Sequence, residues 1–372
     1  MARPPYRADH VGSLIRPERL LAARERRQNG QASAEELRRV EDECIREAVK
    51  RQEDCGLEMV TDGEFRRNSW NVDFLTGFDH VQRAPGKLAV YHKNADGTNS
   101  QSTPSGIAIT GRLKRSKPIQ VGDFNFVKAA TRKTAKACIP SPSLMHFRGG
   151  REAIDKAAYP DMAGFFSDLA RVYAEEIDDL GRNGLKYLQI DDTNLAYLCD
   201  PAFRDAAKRL GEDPDALPDT YCKLINDSIR TRPKDMTVCI HLCRGNATEG
   251  GAASGGYEPV ADAMLNMLQV DGFFLEYDTE RAGDFRPLRF LPKGSKRVVL
   301  GLVSTKQPRL ETKDELKRRI DEAAKVVPLE QLCLSPQCGF SSISGKRPLT
   351  IDDEAAKLRR TAEVAREVWG NA

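Results

Sequence analysis

Thr237-Val-Cys-Ile-His241-Leu-Cys243 is a short apolar run that ends in two metal-binding side chains. Side chains alternate between the two faces of an extended strand. His241 and Cys243 therefore share one face, and Val238, Ile240 and Leu242 share the other. An imidazole nitrogen and a thiolate two residues apart make half of a tetrahedral zinc site. A lone His-x-Cys more often marks two buried strand residues. Two further ligands stand at the ends of later strands: Glu276 closes Gly272-Phe-Phe-Leu-Glu276, and Cys338 closes Leu332-Cys-Leu-Ser-Pro-Gln-Cys338.

Seven other short apolar runs accompany this one. They are Asp9–Ser13, Leu57–Asp62, Lys136–Pro140, Lys186–Asp191, Gly272–Glu276, Arg297–Val303 and Gln331–Leu334. Helical patterns separate most of them, at 33–55, 160–183, 216–231, 257–269 and 312–326, with a last one at 350–369. Alternating strand and helix implies a parallel sheet, and eight such units in 372 residues imply an α/β fold of the (β/α)8 TIM-barrel type. Residues 1–372 read as a single barrel with an insertion at about 79–135. In that stretch Asn94-Ala-Asp-Gly-Thr-Asn-Ser-Gln-Ser-Thr-Pro-Ser-Gly106 excludes a helix interior, and strand-like pieces flank it at 87–92 and 106–113. The spacing predicts a β-hairpin inserted after the second strand, over the barrel mouth if it follows that strand's C-terminal end.

Composition narrows the functional classes. A net charge of +3 is near balance. Lys and Arg are dispersed, without zinc-finger pairs, an RNA-binding aromatic signature or a long basic tail, so no nucleic-acid partner is expected. No run approaches the roughly 20 apolar residues of a membrane span, and the first residues lack an apolar signal region. The expectation is a cytoplasmic protein with no membrane contact. Nine cysteines without an export signal argue against a disulfide framework. Cys44, Cys55, Cys138, Cys199, Cys222, Cys239 and Cys333 read as small buried hydrophobes. The sequence leaves the oligomeric state open, a homo-oligomer included.

Barrel active sites lie at the C-terminal ends of the strands. Here those ends carry Gly12-Ser13, Thr61-Asp-Gly-Glu64, Pro140-Ser-Pro-Ser143, Asp191-Asp192, His241-Leu-Cys243, Glu276-Tyr-Asp278, Ser304-Thr-Lys306 and Gln337-Cys338. Eight polar ends on apolar strands are hard to reconcile with a purely structural protein. Thiolates make lighter divalent ions unsuitable, so His241, Cys243, Glu276 and Cys338 point to Zn2+. A free thiol is only a few per cent thiolate at pH 7, and coordination deprotonates it. A zinc site that trades a ligand for a substrate thiol would make that thiol a nucleophile. Glu64 and Asp191 face the mouth, where two carboxylates suit a substrate ammonium; helix N-capping or pairing with Arg66, Arg67 or Arg148 is the structural alternative. Ser13 follows Gly12 in a turn whose backbone suits a carboxylate, or is simply a turn.

Together these residues resemble the C-terminal catalytic barrel of the cobalamin-independent methionine synthase family, over nearly the whole chain. The resemblance is carried by His10-Val-Gly-Ser13, Thr61-Asp-Gly-Glu-Phe-Arg-Arg67, Pro118-Ile-Gln-Val-Gly-Asp123, Leu188-Gln-Ile-Asp-Asp192, His241-Leu-Cys243, Glu276 and Ser335-Pro-Gln-Cys-Gly-Phe340. Ala8 to Pro17 and Ile139-Pro-Ser-Pro-Ser143 look more closely like the short single-barrel bacterial relatives. The resemblance implies zinc held by His241, Cys243, Glu276 and Cys338. It further implies that Glu64 and Asp191 hold the amino group of homocysteine, that Ser13 holds its carboxylate, and that the thiolate attacks a methyl group in line.

Three departures from that family pattern bear on the methyl donor. The N-terminal barrel of the full-length synthases, which helps bind polyglutamylated folate, is not part of this sequence. His146 stands where the family's pterin-stacking tryptophan is expected. Lys306 is the nearest substitute for the family's proton-donating histidine. The thiol half of the site is thus retained while the folate half is changed. The expected reaction is methyl transfer to homocysteine, a small thiol substrate, giving methionine. Its donor is a methyltetrahydrofolate or a methyl-corrinoid protein. The alternatives are alkyl transfer to or from another small thiol (an epoxide:thiol transferase or a carbon–sulfur lyase) and a zinc-stabilised binding protein without turnover.

Overall fold

The computed structural model describes residues 3–87, 90–93, 99–103, 106–247, 250–341 and 348–372. Parts of the segment expected to form the hairpin tip, residues 88–89, 94–98 and 104–105, lie outside the described residues.

Seven parallel strands form one curled sheet in the order Met59–Val60, Thr134–Pro140, Tyr187–Asp192, Thr237–Leu242, Gly272–Glu276, Arg297–Val303 and Leu332–Pro336. Each is buried along nearly its whole length, as strands between a filled barrel interior and an outer ring of helices must be. The eighth place belongs to the stretch read in the sequence as the strand Asp9–Ser13. Among the described residues its one ladder bridge comes from the residue just before it, Ala8, with Leu334. Asp9 N donates to Leu334 O at 3.0 Å on that side, and Thr61 Oγ1 donates to Gly12 O at 2.6 Å on the other. Gly12 takes φ +133°, which a regular strand does not allow and an L side chain rarely adopts. The segment thus closes the (β/α)8 barrel through side-chain bonds more than through a ladder.

The alternation read from the sequence sorts the core. Val238, Ile240 and Leu242 face the helices in the large apolar cluster, whereas Cys239 joins Tyr187, Phe274, Val299 and Cys333 in a second cluster that fills the barrel. Along the inner face, Tyr187, Gln189 and Asp191 rise on one strand, Cys239 and His241 on the next, and Phe274 and Glu276 on the third. Lower down, Asp9 binds Lys136 Nζ at 2.9 Å and Tyr187 Oη at 2.8 Å, so the buried lysine is paired. All nine cysteines are free.

Most expected helices form with caps written in the sequence. Ala34–Asp54 opens on a Ser33/Glu36 capping box, Lys313–Ala324 on Thr312/Glu315 and Ile351–Trp369 on Thr350/Asp353. Met162–Arg182 is capped by Asp161, and Leu217–Ile229 completes the pair across which they pack. The helix expected at 257–269 is Glu258–Asp262 followed by a π-helical turn, Ala263–Met267. Helices Glu18–Gln28, Val121–Ala130 and Pro201–Arg209 were not expected. Val121–Ala130 lies inside the span read as insertion and precedes the third barrel strand.

The insertion forms two antiparallel pairs, Asp79–Ala84 with Gly106–Lys114 and Val90–Lys93 with Asn99–Ser102, so the expected strand pieces 87–92 and 106–113 pair with other segments and not with each other. The Val90–Lys93 strand comes alongside Gly250–Gly251, in the loop that follows Thr237–Leu242. The insertion that follows the second strand of the barrel therefore meets the loop after the fifth. Among the described residues no helix is long and apolar enough to cross a membrane.

Candidate functional site

His241, Cys243, Glu276 and Cys338 meet at the mouth, one donor atom from each, all within 4.8 Å of one another. Strand pairing brings the first three together, since Gly272–Glu276 lies beside Thr237–Leu242. Cys338 arrives from the end of Leu332–Pro336, across the intervening strand. The sulfurs of Cys243 and Cys338 stand 3.4 Å apart. That is far beyond a disulfide bond of about 2.05 Å. It is close to the roughly 3.8 Å edge of a tetrahedron with metal–sulfur bonds of about 2.3 Å. Both ring nitrogens of His241 are buried without a hydrogen-bond partner. An imidazole buried in that way is costly unless something in the cluster takes up its lone pair. Two sulfurs, a nitrogen and a carboxylate oxygen are a donor set that fits zinc.

The electrostatics favour anionic ligands. The contact with Cys338, followed by that with His241, draws the Cys243 thiol well below its ordinary pKa, while the same contact drives Cys338 well above it. One thiol of the pair is therefore easier to ionise than the other. Burial opposes ionisation of Glu276, but Arg281, Lys306 and His241 outweigh it and hold the carboxyl below its usual range. Both Glu276 oxygens are already fixed: Arg244 N donates to Oε1 at 2.7 Å and Arg281 Nη2 to Oε2 at 3.0 Å. Gly245 N donates to Cys243 Sγ at 3.4 Å. Lys306 Nζ pairs with the buried Asp278 at 2.9 Å.

The two expected acids lie on the same inner wall. Asp191 is the register partner of His241 on the neighbouring strand. Gln189 Nε2 donates to its Oδ1 at 2.6 Å. Burial raises the Asp191 pKa to about 6, against the opposing pull of His241 and the Gln189 bond. Glu64 sits in a left-handed turn at φ 60°. Burial raises it to about 7, with Arg67 pulling down and Asp191 and Asp62 pushing up. Arg67 approaches Glu64 Oε1 at 3.6 Å, whereas Oε2 is buried with no partner. A cation placed between the two carboxylates would satisfy that oxygen and relieve both shifts.

Ser13 is carried to the cluster by the backbone. Phe340 N donates to Ser13 O at 2.9 Å. A Cβ at Gly339 would lie 2.0 Å from Ser13 Oγ, so only glycine after Cys338 lets Ser13 stand there. His146 is not brought to the cluster. It is buried on the short helix Leu144–Phe147, with Nδ1 2.9 Å from Tyr221 Oη, Nε2 3.1 Å from Glu212, and its ring edge-on to Phe166. Those partners belong to the helical layer and not to the strand ends. Sequence reasoning missed Arg281, whose ion pair with Glu276 depends on the irregular turn Glu280–Ala282. It also missed Tyr197, whose hydroxyl borders Gly245.

Fold and site thus define a barrel protein with a buried Cys, Cys, His, Glu cluster at the C-terminal ends of its strands. The chain belongs to the cobalamin-independent methionine synthase family: residues 8–366 match the family's catalytic domain, described as "Cobalamin-independent synthase, Catalytic domain". It is 42% identical to YxjH of Bacillus subtilis (strain 168) over 369 residues, which is 99% of this chain and 96% of that protein. It is 25% identical to the methionine synthase of Pyrococcus abyssi over 335 residues, 89% of this chain and 85% of that one. The crystal structure of a putative vitamin-B12 independent methionine synthase from Listeria monocytogenes is 36% identical and superposes with a TM-score of 0.81, covering 100% of both chains.

Proposed function

We propose that this protein transfers a methyl group to the thiol of homocysteine, giving methionine, with zinc held by His241, Cys243, Glu276 and Cys338. The donor is a methyltetrahydrofolate or a methyl-corrinoid protein. One observation carries the reading: four donor atoms within 4.8 Å of one another, on a wall where Asp191 stands in register with His241. A zinc ion bound there would lower the pKa of an incoming thiol, so that its sulfur attacks as a thiolate near neutral pH.

The protein's own groups do the positioning. Glu64 and Asp191 bind the substrate ammonium, and the unpartnered Glu64 Oε2 is the acceptor kept for it. Ser13 receives the carboxylate. Held at both ends, the amino acid presents its sulfur to the cluster and its open side to the donor, so that much of the rate comes from orientation. Arg244 N and Arg281 fix Glu276. Lys306, paired with Asp278, supplies positive charge beside Glu276 and Cys338. His146 braces the helices behind the rim. The acid pair favours an amino thiol over coenzyme M, which has no ammonium.

The test is a methyl-transfer assay with homocysteine and, in separate reactions, methyltetrahydrofolate and methylcobalamin. Methionine forms with at least one donor, activity disappears on chelation, and about one equivalent of zinc restores it. Protein carrying stoichiometric zinc that forms no methionine from either donor contradicts the proposal.

A further inference from the structure

Tyr197 lies on the short helix Asn194–Tyr197, just beyond the strand that carries Asp191. Its ring is stacked on Phe203 with centroids 4.2 Å apart and tilted against Phe147 at 6.4 Å. These contacts fix the ring and aim the hydroxyl at the cluster. A Cβ added at Gly245, the residue whose N–H binds Cys243, would lie 3.0 Å from Tyr197 Oη. The hydroxyl has no hydrogen-bond partner among the described residues. Burial pushes its pKa up, Arg148 pulls it down, and Cys243, Glu276 and Cys338 add to the rise. It is therefore a donor at any working pH.

Arg148 follows Phe147 and is half-buried, with its guanidinium over the ring of Trp70 at 5.9 Å. It makes no ion pair among the described residues. A half-buried guanidinium without a counter-ion, stacked on an aromatic face, is a ready receptor for a carboxylate or phosphate. Arg148 also lines a cleft shared with Lys87 at the base of the hairpin. Glu152 lines the same cleft, but its carboxylate is engaged by Lys156 at 2.6 Å. The free charge there is positive.

We infer that Arg148 and Tyr197, with Trp70 as a platform, form a subsite for an anionic carboxylate or phosphate of the methyl donor, an inference that rests on the methyl-transfer reading above. Ser13, against the Cys338–Phe340 turn, is the expected seat of the acceptor's carboxylate, which leaves Arg148 to the second substrate.

Trp70 reports on the subsite directly. The chain has two tryptophans, and Trp369 is held away from the mouth by its bond to Leu329 O. In zinc-loaded W369F protein, inorganic pyrophosphate should change Trp70 emission saturably. Arg148→Ala should weaken that binding about tenfold or more, Tyr197→Phe should weaken it severalfold, and Arg148→Lys should restore part of it. Should W369F fold poorly, the same titration on the wild-type background serves, with Trp369 as a constant signal. Homocysteine entry, followed by the absorption of the cobalt-substituted enzyme, should be unchanged in Arg148→Ala. Pyrophosphate binding that ignores Arg148 overturns the inference. So does a loss of homocysteine binding in Arg148→Ala, which would make this the acceptor's carboxylate site. Failure of homocysteine to enter the metal shell of the wild-type enzyme would instead count against the methyl-transfer reading itself.

Discussion

Asp191 and His241 are register partners on adjacent parallel strands, so their side chains leave the same face of the sheet at the same height. The wall proposed to hold the metal is therefore continuous with the wall proposed to hold the substrate's amino end. An amino thiol bridging the two needs a short carbon spacer between nitrogen and sulfur.

Removing one sulfur from the cluster should release the metal. Cys338→Ser is expected to lower metal content from about one zinc per chain to a small fraction after dialysis, because a hydroxyl is a poor zinc ligand at neutral pH. Elemental analysis of the purified variant checks this. Retention of full zinc content and turnover would remove Cys338 from the ligand set.

Arg281 should act through Glu276. Arg281→Met removes the partner of Glu276 Oε2, now 3.0 Å away. Zinc affinity should fall about tenfold to a hundredfold with the ligand set unchanged. Chelator competition measures the affinity, and X-ray absorption of the loaded variant measures the ligand set.

Glu64 should make the protein less stable as pH rises. Its pKa is raised in the folded state from 4.5 to about 7. The folded state thus holds the proton more tightly than the unfolded one, and stability falls as pH climbs from about 4.5 to about 7. Glu64→Gln mimics the protonated form. It should be more stable than the parent by about 3 kcal/mol at pH 8 and nearly equal to it at pH 4. Its KM for homocysteine should rise at the same time. Denaturant titrations at the two pH values decide the point, and a stabilisation independent of pH would contradict it.

The Lys306–Asp278 pair should be costly to break from one side. Lys306→Met leaves a buried carboxylate without its cation and should destabilise by about 3–5 kcal/mol. Adding Asp278→Asn should recover most of the loss. Thermal melts of the single and double variants test this.

Much of the site was legible because it depends on parity and on position at strand ends. The run Thr237 to Cys243 shows which face His241 and Cys243 share, and barrel geometry turns Glu276 and Cys338 into their neighbours. Features set by irregular backbone were not legible. Segment 9–13 reads as a strand, yet Gly12 at φ +133° and the side-chain bonds of Asp9 replace most of its ladder. His146 lies on a four-residue helix, too short for periodicity to say which face turns to the mouth. Arg281 comes from the turn Glu280–Ala282 and Tyr197 from a four-residue helix, elements too short for the sequence pattern to reveal.

The central claim, an amino thiol activated at this cluster, is tested most directly by X-ray absorption at the zinc edge with homocysteine, coenzyme M and glutathione added in turn. The account predicts that homocysteine adds a sulfur to the zinc shell and coenzyme M does not. Sulfur entering only with coenzyme M, or a zinc shell unchanged by every thiol, would contradict it.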